Sequence, residues 1–220
     1  MQLNTDFNER VVMPATDSAW VPSPAPGVER RMLFRDGEEI AVATSLVRYA
    51  PGCSFPAHIH DKGEEYLVLD GVFSDEDGHH AAGTYVRNPP GSSHAPFTEE
   101  GATILVSLRQ FQDNDDKKVV VDSKSSTWTP GLVEGLSVLP LHTFGTEHVA
   151  LVRWAPGTVF KHHQHWGGEE IYVIEGELSD EYGHYPAGTW LRSPHGSSHE
   201  PWSEQGALIY VRVGHLASAH

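Results

Sequence analysis

One cysteine, Cys53, is present in 220 residues, so an intrachain disulfide and a cysteine-built zinc cluster are both excluded. Positive charge is scarce too: 15 Lys and Arg stand against 30 Asp and Glu, for a formal net charge of −15. Such a surface repels phosphate backbones, which argues against direct nucleic-acid binding. Long apolar runs are missing; none approaches the ~20 residues needed to span a bilayer, so no membrane association is expected. The start, Met1-Gln2-Leu3-Asn4-Thr5-Asp6, lacks a basic stretch followed by an apolar one, so the expectation is no secretory signal and a cytoplasmic location. Sustained helical periodicity is also lacking. What is plentiful is histidine, at 15 residues, and that prompts a search for metal ligands.

The chain repeats itself. From Ala50 it reads APGCSFPAHIHDKGEEYLVLDGVFSDEDGHHAAGTYVRNPPGSSHAPFTEEGATILV, and from Ala155 APGTVFKHHQHWGGEEIYVIEGELSDEYGHYPAGTWLRSPHGSSHEPWSEQGALIYV. The two align without a gap, with about half the positions identical. A period near 105 residues is too long for a solenoid and has the length of a domain. A weaker echo relates Trp20–Gly27 to Trp128–Gly135. The polar stretch Gln112-Asp113-Asn114-Asp115-Asp116-Lys117-Lys118 marks the boundary, giving domains 1–112 and 113–220.

Both copies read as β structure. Tyr66-Leu67-Val68-Leu69, Thr84-Tyr85-Val86 and Thr103-Ile104-Leu105-Val106 are β-branched and aromatic, and Gly, Pro, Asp and Ser punctuate them every ten residues or so. Asp75-Glu76-Asp77-Gly78 and Asp180-Glu181-Tyr182-Gly183 read as hairpin turns. Regularly spaced strands in units of this length predict an all-β chain of two sandwiches or jelly rolls.

His58 and His60 flank one residue. On a strand they share a face with Cα atoms ~6.7 Å apart, a span that two imidazoles can close onto one ion. Glu64 would lie ~13 Å from His60 on a straight strand, so the chain must turn at Asp61-Lys62-Gly63 to bring it back. His94 follows the turn Pro89-Pro90-Gly91-Ser92-Ser93. The second copy supplies His163, His165, Glu169 and His199 at the same offsets. A lone His-x-His is common on polar strands; four donor types recurring at identical spacing point to a metal site in each copy.

These residues resemble the cupin superfamily. Its first motif, G-x5-H-x-H-x3-E-x6-G, is met by Gly52, His58, His60, Glu64 and Gly71, and again by Gly157, His163, His165, Glu169 and Gly176. Its second, G-x5-P-x-G-x2-H-x3-N, is met by Gly83, Pro89, Gly91 and His94, and by Gly188, Pro194, Gly196 and His199, with Thr98 and Ser203 in place of the final Asn. The finer pattern is similar to the cupin module of ChrR-type anti-sigma factors, and to iron dioxygenases acting on acetylacetone and dihydroxyacetophenone. The resemblance implies two tandem cupin barrels with two divalent metals per chain, zinc or iron first and manganese, nickel or copper as alternatives. It implies either a regulatory or sensory module or a non-haem Fe(II) dioxygenase cleaving a diketone or aromatic ketone, with a small molecule or O2 as partner. The family's N-terminal zinc domain, with its Cys-x-x-Cys pair, has no counterpart here, so sigma-factor binding by that route is not expected. A homo-oligomer is compatible with all of this.

Other repeated residues carry smaller expectations. Glu65 and Glu170 adjoin the proposed ligands and are the alternative carboxylates at x4 spacing. Arg87 and Arg192 are expected in structural ion pairs with the Ser-Asp-Glu acids, a substrate anion being the alternative. His79 and His184 read as solvated turn residues. Trp166, Trp190, Trp202 and Phe97 read as barrel filling, and Cys53 as a small core residue.

Overall fold

The computed structural model describes residues 1–17, 19–38 and 40–216. It is all β, with no helix among the described residues, and none is long and apolar enough to cross a membrane. The chain forms two compact units, Met1–Thr5 with Ser18–Ser126 and Asp6–Asp17 with Thr127–His220.

In the first unit the antiparallel ladder runs Gln2–Leu3, Val28–Gly37, Ala41–Tyr49, Ala102–Leu108, Glu64–Asp75, Thr84–Asn88, Val119–Asp122. Val21–Pro22 adds to Val28–Gly37, Gly78–Ala81 pairs with the far half of Glu64–Asp75, and His58–Ile59 pairs with Ser93–His94. The second unit repeats the plan: Thr129–Pro130, Leu136–Phe144, Glu147–Trp154, Ala207–Val213, Glu169–Asp180, Trp190–Ser193, Val11–Met13, with His163–Gln164 against Ser198–His199. Each unit is a jelly roll closed around an apolar interior. Tyr66, Val68, Phe73, Val86, Ile104 and Val106 fill the first, and Ile171, Val173, Leu178, Leu191 and Ile209 are central to the second.

The twelve-residue strands Glu64–Asp75 and Glu169–Asp180 do most of the positioning. Each is too long to stay in one flat sheet and bends at a bulge, where Leu69 and Ile174 are the extra residues against Ala102–Leu108 and Ala207–Val213. Gly71 and Gly176 follow, at φ +72° and +71°, and a Cβ at either would lie 2.0 Å from the carbonyl oxygen of Gly101 or Gly206. Only glycine fits such a backbone and such an approach. The bend lets one strand carry a carboxylate into the barrel at its start and another at its end.

The expected domain boundary follows Gln112, and each compact unit also takes in a short segment from the other side of it. Val119–Asp122 pairs with Thr84–Arg87 in the first unit, and Val11–Met13 pairs with Trp190–Arg192 in the second. The segment leading into each repeat thus serves the other repeat's barrel. The boundary stretch is not merely solvated: Asp115 is buried and binds the buried Arg87 at 2.6 Å. That corrects the expected partner of Arg87, which pairs with Asp115 and, at 3.6 Å, Glu65, rather than with the acids of the hairpin. Arg192 donates to the carbonyl of Asp6 and lies over the Phe7 ring. The tryptophan echo is also structural, since Trp20 stacks under Arg48 and Trp128 under Arg153.

Candidate metal centres

Pairing of His58–Ile59 with Ser93–His94 sets His58 directly across from His94, and His163 stands likewise across from His199. His60 closes the first ladder through its N–H to the Ser92 carbonyl, and the chain then reverses at Gly63, φ +80°. Gly167 and Gly168 make the same reversal at φ +80° and +72°. Glu64 and Glu169 then enter on the inward rows Glu64-Tyr66-Val68 and Glu169-Ile171-Val173.

All eight predicted ligands therefore converge in two sets, His58, His60, Glu64, His94 and His163, His165, Glu169, His199, with donor atoms in each within 4.8 Å of one another. The first histidine of each set is half-buried and the other three residues are buried. An ion with ~2.1 Å bonds holds its donors ~3 to 4.2 Å apart, so both sets have the dimensions of a metal site slightly relaxed outward. Glu65 and Glu170 face the other way. Glu65 accepts from the Tyr85 hydroxyl, and Glu170 accepts from Trp190 Nε1 and lies 3.3 Å from His215.

The outer rim of each site fixes which ring nitrogen points inward. Nδ1 of His58 faces the Pro56 carbonyl at 3.0 Å, Nδ1 of His60 the Ser92 hydroxyl at 3.1 Å, and Nδ1 of His94 the Asp75 carboxylate at 3.1 Å. Ser92 itself donates to the Pro89 carbonyl, so it accepts from His60. In the second barrel Lys161 and Asp180 hold His163 and His199 in the same way, while His165 Nδ1 lies between Ser197 at 3.4 Å and Glu169 at 3.5 Å and its Nε2 turns to His163. Each ring held through Nδ1 is thereby left with an Nε2 lone pair aimed at the centre. Nε2 of His60, His94 and His199 is buried with no hydrogen bond of acceptable geometry. His60 Nε2 faces Glu64 Oε2 at 3.2 Å, and Nε2 of His163 faces Nε2 of His165 at 3.0 Å. Acceptors opposed at such distances are relieved by a shared proton or by a metal ion held among them. The residues fit a divalent ion.

Asp75 and Asp180 were not anticipated, although Ser-Asp-Glu recurs at identical offset in both copies. The motif divides its work. Ser74 and Ser179 hold the exposed His79 and His184; Asp75 and Asp180 orient the last histidine of each set; Glu76 and Glu181 accept from the next backbone N–H, of Ala95 and Glu200. Of the other expectations, Trp190 fills the barrel wall, Trp202 and Phe97 are half-buried, and Trp166 is 70% exposed beside His195, outside any packing. Cys53 is half-buried and sits against the Gly27 carbonyl rather than in the core.

The two centres differ electrostatically. Burial opposes ionisation of Glu64, but the adjacent His60 and the field of the other imidazoles hold its carboxyl below the ordinary value. Burial likewise opposes the charged form of His94, yet Asp75 and Glu64 raise it overall. In the second barrel burial, helped by Asp180, pushes Glu169 up to about 7. Burial and the adjacent His199 and His163 push His165 down to about 3.

Comparison with known proteins agrees with the fold. The family model described as the ChrR cupin-like domain matches residues 8–112 and again 116–217. No curated protein matches the sequence. Among solved structures, a Nostoc punctiforme protein provisionally assigned as a dioxygenase superposes with TM-score 0.79 at 18% identity, covering 94% of this chain and 82% of that one. Escherichia coli YlbA gives TM-score 0.75 at 13% identity, covering 98% and 95%. Bacillus subtilis oxalate decarboxylase gives 0.61 at 17%, covering 92% and 75%.

Proposed function

Because this chain belongs to the ChrR cupin-like family, through both of its repeats, we propose that it is a regulatory or sensory bicupin that binds one divalent metal in each barrel and, through it, a small oxygen-donor molecule. The observation that carries the reading is the pair of inward-facing donor sets, each with ring nitrogens buried and unsatisfied. A bound divalent ion supplies Lewis acidity and coordination positions beyond the four protein donors. The protein's residues do the rest. Pro56, Ser92 and Asp75 fix the imidazole orientations, the bulged strand brings in Glu64, and the half-buried edge at His58 or His163 is the side open to a ligand.

A second reading is a non-haem iron dioxygenase acting on a diketone or aromatic ketone. It is favoured by the aromatic wall of the first barrel, where Tyr49, Phe55 and Phe73 pack beside His58 and His94. The deciding experiment is metal analysis of protein purified without a chelating tag, followed by oxygen uptake with a panel of such ketones after full iron loading. Two metals with ligand binding and no oxygen uptake is the result expected for the sensory module. Ketone-dependent uptake would replace it with the oxygenase, and no stoichiometric metal would overturn both.

A further inference from the structure

The two barrels share a ligand set but not the wall beneath it. The next inward residue after Glu64 is Tyr66, and the next after Glu169 is Ile171. Tyr66 is 1% exposed, and its hydroxyl has no hydrogen-bond partner. Its ring is pinned edge-on to Phe73, centroids 5.2 Å apart, and Phe73 in turn stands against His94. Burying a hydroxyl without a partner is unfavourable, and such a group is tolerated where something else supplies the acceptor. A second phenol, Tyr49, lies against Phe73 on the same wall. In the second barrel, Trp154 replaces Tyr49 and leaves only an indole N–H, also unpartnered.

We propose that Tyr66 is the ligand-recognition residue of the first barrel, donating a hydrogen bond to an oxygen of a small carbonyl or oxyanion ligand held at His58, His60, Glu64 and His94. The second barrel, with Ile171 at that height, takes such a ligand more weakly. The inference rests on the metal-binding reading above, and its test separates the two.

Cobalt(II)-loaded protein is titrated with acetohydroxamate, a probe with two oxygen donors, and followed by its visible absorption. His163→Ala with His165→Ala isolates the first centre, and His58→Ala with His60→Ala isolates the second. Metal stoichiometry is measured on every sample. Tyr66→Phe keeps the ring against Phe73 and removes only the hydroxyl. It is expected to retain cobalt and to weaken the probe at the first centre by about ten- to a hundredfold, the usual effect of losing a hydrogen bond to a charged acceptor. The second centre is expected to bind more weakly than the first and to be unchanged by Tyr66→Phe. Full cobalt loading with unaltered probe affinity in Tyr66→Phe, or no probe binding at the first centre, overturns the proposal and leaves the metal reading standing. Failure to bind cobalt at all overturns both.

Discussion

Arg10 reaches 170 residues along the chain to Asp180, Nη2 to Oδ2 at 2.9 Å, and that same oxygen faces Nδ1 of the proposed metal ligand His199 at 3.1 Å. Tyr185 completes the cluster: its hydroxyl donates to Asp180 at 2.5 Å and accepts from Arg10 at 2.7 Å. The first barrel is built differently. His80 stands where Tyr185 does, 3.5 Å from Asp75, and Lys118, the counterpart of Arg10, pairs with Asp77 instead.

Arg10→Ala should therefore weaken metal at the second centre alone. Arg10 is partly exposed and acts through one intermediary, so the effect should be about three- to tenfold. Competition with a chromophoric chelator, run on the variants that keep one centre, measures it. An equal loss at the first centre would show that Arg10 acts on overall stability.

Asp75→Asn and Asp180→Asn remove the carboxylate that orients His94 or His199. Each is expected to reduce affinity about 10- to 100-fold at its own centre, the typical scale for a hydrogen-bond partner of a ligating histidine. The same chelator competition reads this, with the untouched centre as internal control. Loss confined to the wrong barrel would dismiss the assignment.

Two metals per chain are expected by elemental analysis. His58→Ala with His60→Ala should leave one, and so should His163→Ala with His165→Ala, since two remaining donors hold an ion poorly against water. Loss of both ions from either variant would mean that the centres are not independent.

The raised Glu169 gives the second centre its own pH dependence. Below about pH 7 its carboxyl is protonated and must lose that proton to bind metal, so affinity rises with pH up to about 7. For the metal-free chain the sign is reversed. Stability from this group is full below its ordinary value of 4.5 and is lost as pH rises through about 7. Infrared spectra of metal-free protein near pH 6 should show a carboxylic-acid carbonyl band that Glu169→Gln removes and Glu64→Gln does not. A band that survives Glu169→Gln would refute the assignment.

Much of this was legible in the sequence because the repeat acts as its own control. His-x-His spacing on a strand, a turn rich in glycine and a distant histidine after Pro-x-Gly are local features, and each was conspicuous twice. Illegible were the contacts made across the fold. Asp75 and Asp180 lie 19 residues from the histidines they orient. Asp115 looked like part of a solvated linker, yet it neutralises a buried arginine. Nor could alternation along Glu64-Glu65-Tyr66 say which glutamate faced inward until the bend of the strand was known. Trp166 read as barrel filling by its neighbours in sequence, and only its place on the reversing loop leaves it exposed.

The exchanged leading strands bear on how such a chain could arise. Val11–Met13 precedes the first repeat and completes the second barrel, while Val119–Asp122 precedes the second repeat and completes the first. A chain only one repeat long could reproduce this exchange only by lending its leading strand to another molecule and borrowing one back. Such reciprocal lending is the arrangement of a swapped, two-fold homodimer. Gene duplication with fusion would turn that mutual dependence between molecules into a covalent one. Arg10 and Lys118, once the same residue on identical partners, would then be free to diverge.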